Sequence, residues 1–336
     1  MKILIDHPSP FLLAHGGAQI QIEQTKKALE QIGVEVEWLR WWDAEQKGDV
    51  IHYFGVAPMS FLQQARAKKI PVVMTNLFTA TCNRSDAQLR LQGWITKVIL
   101  GLPFGEGVKQ KLHWRSFAAC SRNIVGLAAE QQVLKLVHDI PAEHTAVVPL
   151  GLPDIFIDAG QGQRTEDYLI CAGTITERKN CVPLARMALQ SKVPILFVGK
   201  PYSKNDPYWL EFQALVDGGC VRHQPHVSDS AEMISILLRA RGAVVMSWYE
   251  NWCLTAHEAA ACGLPLLLPD QKWSRERFGE AASYFSGDLK RDTAVLRDFY
   301  ERCPTLPAPK VRLFRWIEVA QQLKGIYETL VAVSVI

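Results

Sequence analysis

Short apolar runs punctuate this chain, and the stretches between them carry apolar residues at helical spacing. Ile3 to Asp6, Val34 to Trp41, Val50 to Phe54, Pro71 to Thr75, Ser116 to Ala119 and Ala146 to Pro149 read as strands bounded by turn-forming residues. After the first of them, Ile22, Thr25, Leu29 and Ile32 recur at helical intervals, which predicts a helix over Ala18 to Ile32 closed by Gly33. The pattern pauses at Gly151-Leu-Pro153 and a loose polar stretch, Asp158 to Asp167. It then restarts, with Tyr168 to Ala172, Ile195 to Val198, Val244 to Trp248 and Leu264 to Leu268 as strands of a second sheet. Strands alternating with helices predict parallel sheets covered by helices, and the restart predicts two of them. The expected fold class is therefore α/β, with two doubly wound, Rossmann-like domains facing across a cleft. Ligands of such domains bind at the carboxyl ends of the strands.

Composition narrows the function classes. The 336 residues suit two domains, and with 48% of them apolar each can bury an ordinary core. A net charge of +3, with no basic run interleaved with aromatics, argues against nucleic acid as a partner. The chain opens directly on a strand and has no apolar run of about 18 residues, so a cytoplasmic location is expected. The eight cysteines include no Cys-x-x-Cys pair and read as reduced core residues. His223-x-x-His226 lacks the neighbouring cysteine or acid of a metal pair and reads as structure.

The polar motifs fall just after strands. In Ser247-Trp-Tyr-Glu-Asn-Trp-Cys-Leu-Thr-Ala-His-Glu258, an apolar strand over Ala243 to Met246 leads into a turn and then a helix expected to begin near Trp252 and to stop at Gly263. The first amides of that helix, from Asn251 through Trp252 and Cys253 to Leu254, would face an anion beside Glu250. Glu258 lies roughly 9 Å further along the helix axis, on the scale of the distance from a diphosphate to its ribose. Taken alone, the two glutamates read equally well as solvated helix residues. Arg178 and Lys179, in Gly173-Thr-Ile-Thr-Glu-Arg-Lys-Asn180, lie past a strand end and suit a diphosphate, Arg178 through two donors and Lys179 as a point charge. Gly16 and Gly17 open the first helix after the loop His7 to His15, where bare backbone lets a ligand approach. Neither a Gly-x-Gly-x-x-Gly dinucleotide motif nor a P-loop is present.

Together these runs resemble the group 1 (family 4) glycosyltransferases of the GT-B fold. The resemblance takes in Gly16-Gly17, Val148-Pro-Leu-Gly-Leu-Pro-Asp-Ile-Phe156, Gly173 to Asn180, Phe197-Val-Gly-Lys200, the Glu-x7-Glu element on Glu250 and Glu258, Arg275 to Phe285, and Phe314 to Tyr327. It covers most of the chain in the family's order. It implies an acceptor-side domain over 1–155, a nucleotide-sugar-binding domain over 156–312, and a closing helix over 313–336 that returns to the first domain. It also implies retaining transfer of a sugar from a nucleotide sugar to a glycan or lipid-linked acceptor, with no cofactor and no metal. The absence of an Asp-x-Asp triplet agrees with the last point.

Carried over by position, Arg178 and Lys179 would neutralise the leaving diphosphate, as catalytic groups together with Glu250. Glu250 and the Asn251 to Leu254 amides would hold donor sugar and phosphate, Glu258 the ribose, and Gly16, Gly17 and Gly173 the donor's close approach. Two departures stand out. Relatives often place a histidine where Asn76 stands here, and many carry arginine where Thr174 stands. An amide cannot titrate, so no general base is assigned. That leaves open a non-catalytic sugar-nucleotide or glycan-binding protein, or a sugar-nucleotide epimerase of the same architecture. Over 84–115, Arg84, Arg90, Lys97, Lys109, Lys111 and Arg115 face only Asp86 and Glu106, with Leu91, Trp94, Ile95, Val98, Ile99, Leu100 and Phe104 between them. That composition suits peripheral contact with an anionic membrane and equally an ordinary exposed helix.

Overall fold

The computed structural model describes residues 1–11, 16–76, 80–103, 105, 107, 109, 112–161 and 164–334. Among the described residues, twelve strands form two parallel sheets of six. The first comprises β1 (Lys2–Asp6), β2 (Glu35–Trp38), β3 (Val50–Phe54), β4 (Val72–Thr75), β5 (Arg122–Val125) and β6 (Thr145–Val147), in the order β2-β1-β3-β4-β5-β6. The second comprises β7 (Leu169–Ala172), β8 (Ile195–Val198), β9 (Val221–Gln224), β10 (Gly242–Val244), β11 (Leu266–Pro269) and β12 (Ser283–Phe285), in the order β12-β11-β10-β7-β8-β9. Both are doubly wound, and each reverses its strand order at one point: between β1 and β3, and between β7 and β10. Such switch points open a crevice at the carboxyl ends of the strands.

Two compact units follow from this. One is built on β1 to β6 and the C-terminal helix Trp316–Ser334; the other is built on Leu152 to Arg315 and also takes in Gly16 and Gly17. Gly151 is needed at the first crossing, because a Cβ there would lie 2.6 Å from the Trp316 backbone. Leu152 N–H donates to Phe314 C=O at 2.8 Å beside it.

Within the first unit the C-terminal helix packs on β3. The hydroxyl of Tyr327, fully buried, meets His52 Nδ1 at 2.7 Å, and His52 Nε2 meets Thr75 Oγ1 at 2.6 Å. Burial pushes the His52 pKa down to about 3, so the ring is neutral, with one nitrogen a donor and the other an acceptor toward these two hydroxyls. In the second unit, Leu184, Phe197, Phe212, Leu267 and Phe299 anchor one continuous apolar core.

One expected strand is corrected. Ser116–Ala119 is a single helical turn, and the strand of that region is β5, which begins at Arg122. The error has a physical source: a short apolar run does not distinguish a buried turn from a strand, and β5 carries Arg122 and Asn123 where apolar residues were sought. Asn123 is fully buried because its amide donates to Phe117 C=O at 2.8 Å and its Oδ1 accepts from Asn76. β9 and β12, with the polar sequences Val-Arg-His-Gln and Ser-Tyr-Phe, were missed for the same reason.

Candidate functional site

The switch point of the second sheet brings together the loops after β7 and β10. Past β7 the chain passes through Gly173, at φ +145°, a conformation that side-chain-bearing residues rarely adopt. A Cβ on the neighbouring Gly199 would run into the Gly173 carbonyl. Gly173 N–H bonds Val198 C=O at 3.0 Å and Ile175 N–H bonds Lys200 C=O at 3.1 Å, so the loop continues the ladder beyond the strand. A 3-10 turn, Glu177–Lys179, then ends at Asn180 in the left-handed region (φ 58°), and the helix Cys181–Ser191 follows. This turn sets Arg178 and Lys179 at the strand ends rather than along a helix.

The loop after β10 meets it. Trp248 N–H donates to Arg178 C=O at 2.9 Å, and Arg178 Nη1 donates to Tyr249 C=O at 3.1 Å. Glu250 Oε1 accepts from Arg178 Nη1 at 3.0 Å and from Lys179 Nζ at 2.6 Å. The Glu250 side chain is only 10% exposed. Burial works against its charge, but Lys179 and then Arg178 outweigh it and hold the carboxyl below the usual range. Burial likewise opposes the charge of Lys179, and Glu250 more than restores it, raising its pKa. The three groups form a fixed charge centre with one net positive charge, which suits an anionic ligand.

The helix carrying the second glutamate begins at Leu254, not near Trp252, and runs to Ala261. Cys253 precedes it at φ 60°, ψ 74°, an unusual conformation for a residue with a side chain, and one found where loops are held for binding. Trp252 is outside the helix and buried. It stacks on His257 at 4.7 Å with the rings 7° apart, while the Arg277 guanidinium covers it at 4.2 Å. Asn251 lies in the turn, so Asn251, Trp252 and Cys253 precede the helix and only Leu254 contributes a true first-turn amide. Glu258, inside the helix, keeps a little exposed surface. The protein around its carboxyl pushes its pKa up to about 7, with Lys179 acting in the opposite direction. It is thus half-protonated near neutrality.

A small pocket lies beside this centre, lined by Gly173, Thr174, Lys179, Cys181, Met246 and Ser247 among others. The sequence-predicted Gly173, Arg178, Lys179 and Glu250 are therefore gathered at one switch point, with Glu258 near enough to feel the charge of Lys179. Gly16, at φ 140°, and Gly17 open the helix Gly17–Gln31, and residues 12–15 of the loop before it, including His15, lie outside the described residues. Asn76 is buried past β4: its amide donates to Asn123 Oδ1 at 3.0 Å, and its own Oδ1 has no partner among the described residues. His223 donates from Nε2 to Gly199 C=O at 2.9 Å and packs edge-on against Trp209, a structural role. Seven of the eight cysteines are buried, and all are free thiols.

No protein-family model and no curated protein matches the chain. Solved structures match along its full length. Sucrose-phosphate synthase from Thermosynechococcus elongatus superposes with a TM-score of 0.65 at 15% identity, over 99% of this chain and 100% of that one. HepE of Anabaena, solved in complex with UDP and glucose, gives 0.65 at 13% identity, over 98% and 99%. AviGT4, a glycosyltransferase involved in avilamycin A biosynthesis, gives 0.60 at 14% identity, over 98% of each chain. The fold is that of the GT-B glycosyltransferases.

Against that fold, two contributors to the site were missed from the sequence. Gln271, just past β11, donates from Nε2 to Trp248 C=O at 2.6 Å and accepts at Oε1 from Trp273 Nε1 at 2.8 Å, pinning the Glu250 loop from a third strand. Tyr249 supplies the carbonyl that orients Arg178 and a ring 5.6 Å from the guanidinium. A polar residue directly after a strand was the available signal for Gln271. Among the described residues, no group of three or more His, Cys, Asp or Glu could hold a metal ion, and no helix is long and apolar enough to cross a membrane.

Proposed function

We propose that this protein is a retaining glycosyltransferase, moving a hexosyl unit from a nucleotide-sugar donor to a glycan or lipid-linked acceptor without a metal. The observation that carries this reading is the Arg178–Lys179–Glu250 centre at the switch point of the second sheet. A nucleoside diphosphate arriving there supplies new negative charge. Arg178 and Lys179 bind its phosphates while Glu250 turns to the hydroxyls of the donor sugar. As the glycosidic bond breaks, charge grows on the diphosphate oxygen, and two cations already held in place stabilise it without reorganisation. In this reading the leaving diphosphate takes the acceptor's proton, so Asn76 need not act as a base. Glu258 accepts hydrogen bonds from the ribose, and Gly16, Gly17, Gly173 and the Asn251 to Leu254 backbone give the donor close approach.

Peripheral contact with anionic lipid is a second element of the proposal. What supports it is the helix Asp86–Gly101, which buries Leu89, Gly93 and Thr96 and leaves Leu91, Trp94, Ile95 and Val98 exposed. Of the remaining residues invoked for that face, Phe104, Glu106 and Lys111 lie outside the described residues.

The direct test is thermal unfolding with uridine, guanosine and adenosine diphosphates and their sugars. One of them raises the melting temperature, and Glu258→Ala abolishes the rise. No shift with any of them counts against the reading. Turnover of a nucleotide sugar without acceptor would point to an epimerase, and saturable binding without transfer to a non-catalytic binding protein.

A further inference from the structure

Arg277 lies in the helix Lys272–Phe278 that follows β11, and its guanidinium meets two rings and two acceptors. It covers Trp252 at 4.2 Å and stands 5.7 Å from the Phe314 ring. Its Nη2 donates to Arg312 C=O at 2.9 Å, and its Nε donates to His257 Nε2 at 3.4 Å. Half-burial works against the charge and lowers its pKa. The ring faces and the two hydrogen bonds offset that penalty.

These contacts fix the proton on a buried ring. His257 is fully buried, and burial, with the charge of Arg277 acting in the same direction, pushes its pKa down to about 3. The ring is therefore neutral, with one nitrogen a donor and the other an acceptor. A guanidinium can only donate and a carbonyl can only accept. Nε2 is thus the bare nitrogen that faces Arg277, and Nδ1 carries the proton, which it donates to Cys253 C=O at 3.0 Å. Arg277 selects the tautomer that bonds this carbonyl. The carbonyl belongs to a residue at φ 60°, ψ 74°, a conformation that a side-chain-bearing residue keeps only where its surroundings enforce it. The preceding residue is held from the same source, since the Trp252 ring lies against both His257 and the Arg277 guanidinium.

We propose that Arg277 is a positioning residue for the segment between Glu250 and Glu258. Acting through the Trp252 ring and the His257 tautomer, it holds the left-handed turn at Cys253, and with it the path of the chain from Glu250 into the helix Leu254–Ala261. The use of that path to hold a nucleotide rests on the glycosyltransferase reading; the hold on the turn does not.

Three measurements on the full chain test this. In wild type carrying nitrogen-15 histidine, long-range proton–nitrogen spectra show the His257 proton on Nδ1 at neutral pH; a proton on Nε2 overturns the proposal, because Arg277 then has no acceptor there. The variant Arg277→Met keeps an apolar stem against the indole and removes the donors. In it, the amides of Ala256 and His257, which donate to Cys253 C=O at 3.1 and 3.4 Å, exchange their hydrogens about tenfold faster than in wild type. Unchanged exchange overturns the hold on the turn. Calorimetric titration with uridine, guanosine and adenosine diphosphates reads the consequence for the site. The one that binds wild type binds folded Arg277→Met about tenfold more weakly. A role in packing alone lowers the melting temperature and leaves that affinity unchanged, and this result overturns the positioning role. If none of the three binds wild type, the transferase reading falls, and the tautomer and exchange measurements still decide whether Arg277 holds the turn.

Discussion

The carboxyl edges of the two sheets share an architecture and differ in chemistry. Past β7 and β10 stand Arg178, Lys179 and Glu250, all ionised and mutually bonded, with Glu258 poised near neutrality. In the first sheet, Asn76 just past β4 and Asn123 within β5 are a buried pair of amides, and the nearby His52 is kept neutral by burial. Burial penalises charge in both places. In the second sheet Arg178, Lys179 and Glu250 each have an opposite charge within hydrogen-bonding distance and stay ionised; in the first, the partners of His52 are the neutral hydroxyls of Tyr327 and Thr75, and burial keeps it neutral. A doubly wound sheet thus fixes where side chains converge, and residue choice decides whether that place holds an anion.

Removing Glu250 breaks the contrast most severely. Glu250→Ala leaves two cations facing each other without their counter-ion, and urea unfolding of the variant shows the second unit weakened by about 3 kcal/mol, the low end for a buried pair because Arg178 keeps some solvent. Transfer is lost. A nucleoside diphosphate raises the melting temperature of this variant by more than that of wild type, since it replaces the missing charge; an equal or smaller rise refutes the phosphate role of Arg178 and Lys179.

The first unit answers to a neutral change. Tyr327→Phe leaves His52 Nδ1 without its hydrogen-bond partner in a dry site, at a cost of about 1–3 kcal/mol in the stability of that unit by urea unfolding, with no effect on the nucleotide-induced shift. A loss of donor binding in this variant would mean that the two edges are not chemically independent.

Glu258 titrates the second edge. Its folded pKa, about 7, lies above the ordinary carboxyl value of 4.5, so the folded state favours the protonated form. That contribution is fully present below the ordinary value and is lost as pH rises through about 7. Glu258→Gln therefore exceeds wild type in stability at high pH, and the gap closes as pH falls. Affinity of wild type for a nucleotide sugar rises as pH climbs through about 7, because the ionised carboxylate accepts ribose hydroxyls better, and the variant shows a flat profile by calorimetry. A wild-type profile as flat as the variant's would refute the ribose assignment.

The smallest effect is expected at Asn76. If the leaving diphosphate takes the proton, Asn76→Ala lowers turnover by less than about tenfold, whereas loss of a general base costs roughly a hundredfold or more. A drop of that larger size places Asn76 in the chemistry after all.

Much of this was legible because local pattern reports burial. β3 and β8 begin and end where their apolar runs do, and the two-sheet division follows from the pause after Gly151. β5 and β9 were illegible because their polar residues are satisfied by partners distant in the chain: Asn123 by Asn76, His223 by the Gly199 carbonyl. The start of the Leu254–Ala261 helix was misplaced by two residues, because the left-handed turn at Cys253 uses a residue with no sequence signal for it.

The sequence by itself determined the alternation of elements and placed charged residues directly after strands, since those depend on neighbours in the chain. The tertiary structure alone decided that Arg178 and Glu250, 72 residues apart, share one hydrogen bond. That pairing exists because β7 and β10 are neighbours in the sheet while β8 and β9 lie on the far side of β7, an order set by crossover packing. It also decided the state of Glu258, whose pKa depends on how much protein surrounds it, a quantity that no spacing along the chain records.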